Sequence, residues 1–251
     1  MALIMLASAK GSPGVTTTAL ALASVWDRPV LLAECDPAGG DILAGFLRAG
    51  ATTAGGLLDV ALAARRGLTP ADVVGRCVGL SEDGRVLLLP GLTDPGHIAS
   101  VAPCWPAIVD AFGALGAADP AYDVLADAGR LGEPWPTALI AGADRVLLVL
   151  RPTLPQIHSA THHLAQIRRL HGNTTADVGV VLIGDTPYGR AEVQTALGVP
   201  VLATVALDDR AASALSDGAD RGRWFERSAM LRSITQLAAT LVPHQATAVV
   251  S

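Results

Sequence analysis

A chain of 251 residues that is 51% hydrophobic and only 4% aromatic holds enough apolar material for a sizeable core. We expect one domain spanning residues 1–251, with no linker or repeat to divide it. A net charge of −5 excludes a generally basic nucleic-acid surface, leaving only a local patch for that role. Cys35, Cys77 and Cys104 have neither metal-ligand nor redox-pair spacing, and read as free thiols of a reducing cytoplasm.

In chain order, ALIMLAS (2–8) is a short apolar run with no basic segment before it, so it reads as a strand and not as a signal peptide. It enters SAKGSPGVTTTALALA, a glycine-bearing turn that becomes a helix near 16–26. PVLLAE (29–34) is the next strand, followed by a helix near 56–66 and the strand RVLLLP (85–90). Segment 50–120 is the least regular part and is expected to form an insertion, or a lid over the sheet's carboxyl edge. A helix near 98–115 leads to the strands YDVLAD (122–127) and RVLLVLR (145–151), then to a helix near 154–171. The strands VGVVLIG (178–184) and PVLATVA (200–206) alternate with helices near 189–197 and 209–218. In a last helix near 228–242, Leu231, Ile234, Leu237, Ala238 and Leu241 share one face. Short strands alternating with helices predict an α/β fold: a three-layer sandwich with a mostly parallel, twisted central sheet and helices on both faces. No apolar run is read as reaching the ~18 residues of a membrane span. The tail HQATAVVS lacks a basic amphipathic pattern, so a cytoplasmic protein without stable membrane insertion is expected.

Parallel sheets bind ligands at the carboxyl ends of their strands, and the first strand runs directly into the glycine loop. Successive backbone N–H groups at a helix N-terminus suit a phosphate. Aligned on Gly14, the pattern GxxxxGK[ST] meets Ala9 in place of its first glycine and Val15 in place of its lysine, while Thr16 and Thr17 agree. Lys10 is the sole lysine among eighteen basic residues. A chain so biased to arginine retains a compact ammonium there for a reason, unless its place is chance.

The stretch K-G-S-P-G-V-T-T resembles the deviant phosphate loop (deviant Walker A) of the ParA/MinD family of P-loop ATPases, K-G-G-x-G-K-[ST]-[ST]. By this resemblance Lys10 is the signature lysine that reaches the phosphates of a partner subunit, and Val15 replaces the second lysine. Ser12 replaces a glycine, and Pro13 has no N–H to donate. VLLAECDPAGGD resembles the family's second motif, with Glu34 at its first acidic place and Asp36 before Pro37. YDVLADAGR resembles the strand whose terminal acid is Asp127, and ADRVLLVLRPTLPQIHSA the segment that follows. The likeness implies ATP and Mg2+ as cofactors, with Lys10, Gly11, Ser12, Pro13, Gly14, Val15, Thr16 and Thr17 binding the nucleotide. It implies Thr16, Asp36 and Asp127 as metal-holding residues, Lys10 and Asp36 as catalytic residues, and a homodimer.

Two classes of function follow. In the first, the chain is an ATP-binding switch that dimerises with nucleotide, hydrolyses it weakly and positions a chromosome, division site or pilus/secretion machine. In the second, it is a non-hydrolysing scaffold that localises a pilus or secretion assembly through protein contacts. Val15 and Pro13 favour the scaffold; Lys10, Thr16, Asp36 and Asp127 favour the switch. A small-molecule enzyme is a third reading, and the lack of paired cysteines argues against an iron–sulfur reductase subunit. His158 and His162 have i, i+4 spacing without an evident third ligand, so a solvated helix face is the better reading. Arg221, Arg223, Arg227 and Arg232 interleave with Asp217, Asp220 and Glu226, which reads as an ordinary charged surface more readily than as a DNA contact. Arg130 either binds a phosphate or pairs with a local acid.

Overall fold

Alternation within the first strand decides the layering. Leu3, Met5 and Ala7 face one apolar cluster while Ile4 and Leu6 face another, and all five are buried, as expected of a strand covered on both sides. The computed structural model describes residues 2–48, 55–132, 136–171 and 178–241. Among these are the strands β1 (Leu3–Ser8), β2 (Val30–Glu34), β3 (Val78–Gly79), β4 (Val86–Leu89), β5 (Asp123–Arg130), β6 (Arg145–Leu150), β7 (Val178–Ile183) and β8 (Val201–Val205). They form one sheet in the order β3-β4-β2-β5-β1-β6-β7-β8. Every pairing is parallel except that of β3 with β4.

The helices are α1 (Val15–Ser24), α2 (Leu57–Ala64), α3 (Pro70–Val74), α4 (Ile98–Val101), α5 (Trp105–Ala114), α6 (Thr137–Gly142), α7 (Leu154–His171), α8 (Arg190–Leu197), α9 (Asp209–Ser216), α10 (Gly222–Glu226) and α11 (Ala229–Leu241). Residues of α2, α3, α5, α6, α7 and α8 pack on the Leu3 face, and those of α1, α9 and α11 on the Ile4 face. The architecture is the expected three-layer α/β sandwich.

All seven expected strands form, each within two or three residues of its reading. The structure adds the two-residue β3 and the short helices α3, α6 and α10, none of which is long enough to show a periodicity. The first of these is started by local chemistry: the Thr69 side chain accepts the Asp72 N–H, Asp72 accepts the Thr69 N–H, and Pro70 follows the cap. Segment 50–120 is not a lid. Leu57, Ile108 and Phe112 are fully buried, so α2 and α5 belong to the helical layer itself; residues 49–54 lie outside the described residues.

A second correction concerns the helical run Pro95–Ala117, whose 23 residues are apolar and long enough by composition to cross a membrane. In the fold its Val101, Trp105, Ile108 and Phe112 pack against the sheet. The run begins in the 3-10 turn Pro95–His97 and is interrupted by the turn Ala102–Cys104. The tail 242–251, with the end of the expected 228–242 helix, lies outside the described residues.

The topology reverses at β1. The chain leaves β1 for β2, two places away, and β5 later fills the gap, after which β6 lies on the opposite side of β1. Such a reversal opens a crevice at the carboxyl ends of the strands. At the other end of the sheet Asp123 staples three strands: it accepts the Ala2 N–H at 2.7 Å and the Trp26 indole N–H at 2.9 Å, and forms an ion pair with the Arg28 guanidinium at 2.6 Å. Replacing Asp123 with alanine strands two donors and a cation, and we expect Asp123→Ala to lower unfolding free energy by about 3 kcal/mol. Urea unfolding measures it as a lower midpoint with unchanged slope.

Candidate functional site

Beyond Ser8 the chain turns sharply over the start of α1. Gly11 and Gly14 take φ of +69° and +106°, a region open to glycine at little cost, and the Thr18 N–H then donates to the Gly14 carbonyl at 2.9 Å to begin the helix. The turn is braced from outside: Leu131 N–H donates to the Ser8 carbonyl at 2.8 Å, and the Ser159 hydroxyl on α7 to the Ala9 carbonyl at 3.1 Å. Beside it lies a cleft of about 290 Å³. Gly11, Ser12, Gly14, Val15, Thr16 and Thr17 line it from the loop and α1, Asp36 and Asp41 from the stretch after β2, and Gly129 and Arg130 from the end of β5.

Three sequence candidates sit differently. Val15 is buried and packs its side chain into the core on the Ile4 face. Pro13 is also buried and lines a neighbouring hollow. Lys10 is exposed, lies outside the residues that line the cleft, and makes no ion pair or hydrogen bond among the described residues.

Register collects the acids. Asp127 pairs with Leu6 of β1 and with Glu34 of β2, which sets all three at one end of the sheet. Asp127 is only 2% exposed and receives hydrogen bonds from the Thr16 hydroxyl and, at 3.0 Å, from the Gly129 N–H. Burial outweighs those bonds and pushes its carboxyl up to about 7, with repulsion from Glu34 and Asp36 adding to the rise. Asp36 is also raised by burial, against the Ala38 N–H and the attraction of Arg130. The Cys35 thiol between these acids rises well above its usual value, through burial first and then their charges. Asp36 leans directly over Gly129: a Cβ added there would come within 1.6 Å of Asp36 Oδ2. Only a residue without a side chain, at φ +57°, lets β5 pass beneath it.

Glu34, at the first acidic place of its motif, does something else. Its Oε1 accepts the Asp41 and Ile42 N–H groups at 2.8 and 2.9 Å, and its Oε2 the Gly91 N–H at 3.1 Å. Burial raises its carboxyl, opposed by those three N–H groups. It therefore clamps the segment after β2 to the end of β4. The glycines that make room for it, Gly40 and Gly91, are the signal that sequence reading passed over.

Sequence reading also missed a second hollow across Ser12, Pro13 and Gly14 from the cleft. Ile183, Val205, Leu207 and Met230 form its apolar wall, with Arg151 and Asp208 at its edge. These residues come from the ends of β6, β7 and β8 and from α11, and no motif joins them. Elsewhere, His158 and His162 meet edge to face at 5.0 Å on exposed positions of α7. Arg221 lies over the Phe46 ring at 4.4 Å, and none of the Arg221–Arg232 cluster lines the cleft.

No family model matches the sequence, and no curated protein is similar to it in sequence. Solved structures do match. A ParA family ATPase from Chlorobium tepidum TLS superposes with a TM-score of 0.79 at 20% identity, over 96% of this chain and 99% of its own. The chain has the fold of the ParA and MinD ATPases. The septum site-determining protein MinD from Pyrococcus horikoshii OT3, complexed with Mg-ADP, matches at TM-score 0.72 and 17% identity over 96% of both chains. A McdA variant from Cyanothece in complex with ATP matches at 0.67 and 17% identity, over 96% of this chain and 97% of its own.

The Thr16 hydroxyl and the Asp36 and Asp127 carboxylates are oxygen donors, the ligand type a hard divalent cation prefers, although among the described residues no three His, Cys, Asp or Glu side chains gather as a metal-holding cluster. Burial is the first cause of the raised carboxyls of Asp36 and Asp127, and in Asp36 it outweighs the attraction of Arg130. The folded protein holds an Asp127 proton that the unfolded chain releases between its usual value, 3.8, and about 7. Stability from this group is intact below 3.8, declines across that window and has fallen fully above about 7. Asp127→Asn is expected to flatten the decline, gaining most relative to the parent above neutrality. Urea midpoints for both proteins at about pH 4.5 and about pH 8 measure it.

Proposed function

We propose that this chain is a ParA/MinD-type switch, one unit over residues 1–251, that binds ATP with Mg2+, pairs with a second copy and hydrolyses the nucleotide slowly. The observation that carries the reading is the convergence of a left-handed glycine turn, the N-terminus of α1 and buried acids on one cleft. Positive φ at Gly11 and Gly14 and an open helix start favour a bound phosphate. In this reading the N–H groups of Gly11, Ser12, Gly14, Thr16 and Thr17 cradle the phosphates, Pro13 gives none, and Val15 contributes packing alone.

Thr16, Asp36 and Asp127 would hold the magnesium, which supplies charge neutralisation to the phosphate oxygens. Asp36, reaching over Gly129 into the cleft, orients the attacking water. The apolar hollow beside Pro13 takes the base. Lys10 is exposed outside its own cleft, which supports a role across a pair of copies, where it meets the partner's phosphates. Phosphoryl transfer asks mainly for positioning and charge, so this set suffices for turnover, and the missing loop lysine keeps it slow. The output is the placing of a cellular cargo in the cytoplasm (a chromosome, a division site or a pilus/secretion machine) through a protein partner. Val15 and Pro13 support the second reading, a scaffold that localises such an assembly without hydrolysis.

Calorimetry of MgATP binding, phosphate release and light scattering on the parent and on Lys10→Ala separate these readings. The switch expects both proteins to bind ATP, but only the parent to form an ATP-dependent dimer and release phosphate. A parent that binds no ATP at millimolar concentration would leave the scaffold.

A further inference from the structure

A nucleotide carrying several negative charges needs cations around it, and the cleft holds few. Its lining includes two carboxylates, Asp36 and Asp41, and among the described residues a single basic side chain, that of Arg130. Position 15, where phosphate loops place their lysine, is an apolar residue buried in the core. Lys10 stands outside the cleft, and Arg151 lines the hollow on the other side of Ser12–Gly14.

The fold holds Arg130 in place. It is the last residue of β5 and pairs in register with Ser8, the residue from which the loop departs. The next residue, Leu131, donates its N–H to the Ser8 carbonyl at 2.8 Å, so the strand end and the loop start are tied on both sides of the arginine. Gly129 turns the backbone at φ +57° just before it. The Arg130 side chain is exposed and makes no salt bridge with any described residue. Its attraction to Asp36 acts through space, without an ion pair that a ligand would have to break.

We infer that Arg130 is the cation that meets the phosphate chain within each subunit, supplying from the end of β5 the charge that residue 15 lacks. A guanidinium suits this place: its planar fork matches two phosphate oxygens at once and stays charged at every relevant pH. The inference rests on the nucleotide-binding reading and names a residue for it. It divides the work of two cations, with Arg130 acting within its own subunit and Lys10 turned outward.

The test is calorimetric titration of MgATP and of AMP into the parent, Arg130→Gln and Arg130→Lys, with melting curves of each protein without ligand. Loss of one charge-assisted contact is expected to weaken ATP about tenfold to a hundredfold in Arg130→Gln and AMP by less than about threefold. Arg130→Lys should recover part of the ATP affinity, and the ligand-free melting temperatures should coincide, because the side chain is exposed. ATP affinity should also fall less steeply with salt in Arg130→Gln than in the parent. If Arg130→Gln binds ATP as the parent does, or loses ATP and AMP equally, the inference is overturned while the nucleotide reading stands. If the parent itself binds no ATP, the nucleotide reading fails first, before any variant is compared.

Discussion

Asp127 is a carboxylic acid at 2% exposure, between the ends of β1 and β2 and beneath the first turn of α1. Burying such a group is costly unless its charge is removed or answered. The surroundings answer it partly: the Thr16 hydroxyl and the Gly129 N–H bond to it, yet its affinity for a proton still rises to about 7. The rest of the site is arranged around that tension. The loop must turn at Gly11 and Gly14 to bring Thr16 over the acid, and β5 must carry a glycine two residues on so that Asp36 can close over it. The consequence in the ligand-free protein is a carboxyl that holds its proton to higher pH than an exposed aspartate does.

Three acids share the neighbourhood, and hydrogen bonding divides their roles. Glu34 takes three backbone N–H groups from two separate segments, so it acts as a tie even though burial still raises its carboxyl. Asp36 takes the Ala38 N–H at 2.8 Å and keeps a face to the cleft, while Asp127 lies underneath. The tie has its own steric condition. A Cβ at Gly40 would meet Glu34 Oε2 at 2.7 Å, and one at Gly91 would meet Glu34 Cβ at 2.9 Å. Glycines at these places serve close backbone approach to a buried carboxylate.

Positive charge is distributed oppositely, at the rim. Arg130 stands at the lip, Arg151 at the neighbouring hollow, and Lys10 beyond the cleft, so the positive side chains lie away from the buried acids. The same arrangement explains why a valine is tolerated at position 15. Turned into the core on the Ile4 face, it adds to the packing of α1 against the sheet.

Much of this was legible in the chain itself. The seven main strands follow from short apolar runs of β-favouring residues, the long helices from their periodicity, and the phosphate-type turn from glycines next to a strand and before a helix. Each of these depends on residues a few positions apart, where steric and hydrogen-bonding rules act locally. The tertiary structure alone decided the rest. That α2 and α5 belong to a helical layer, that Glu34 is a tie, that Lys10 faces outward while Arg130 faces the cleft, and that an apolar hollow opens beside Pro13 all depend on strand order. The reason is distance along the chain. The Asp123 contact with Ala2 spans 121 residues and the Glu34 contact with Gly91 spans 57, and no local pattern records which strand β5 will lie beside. That choice is made when both faces of the sheet are covered at once.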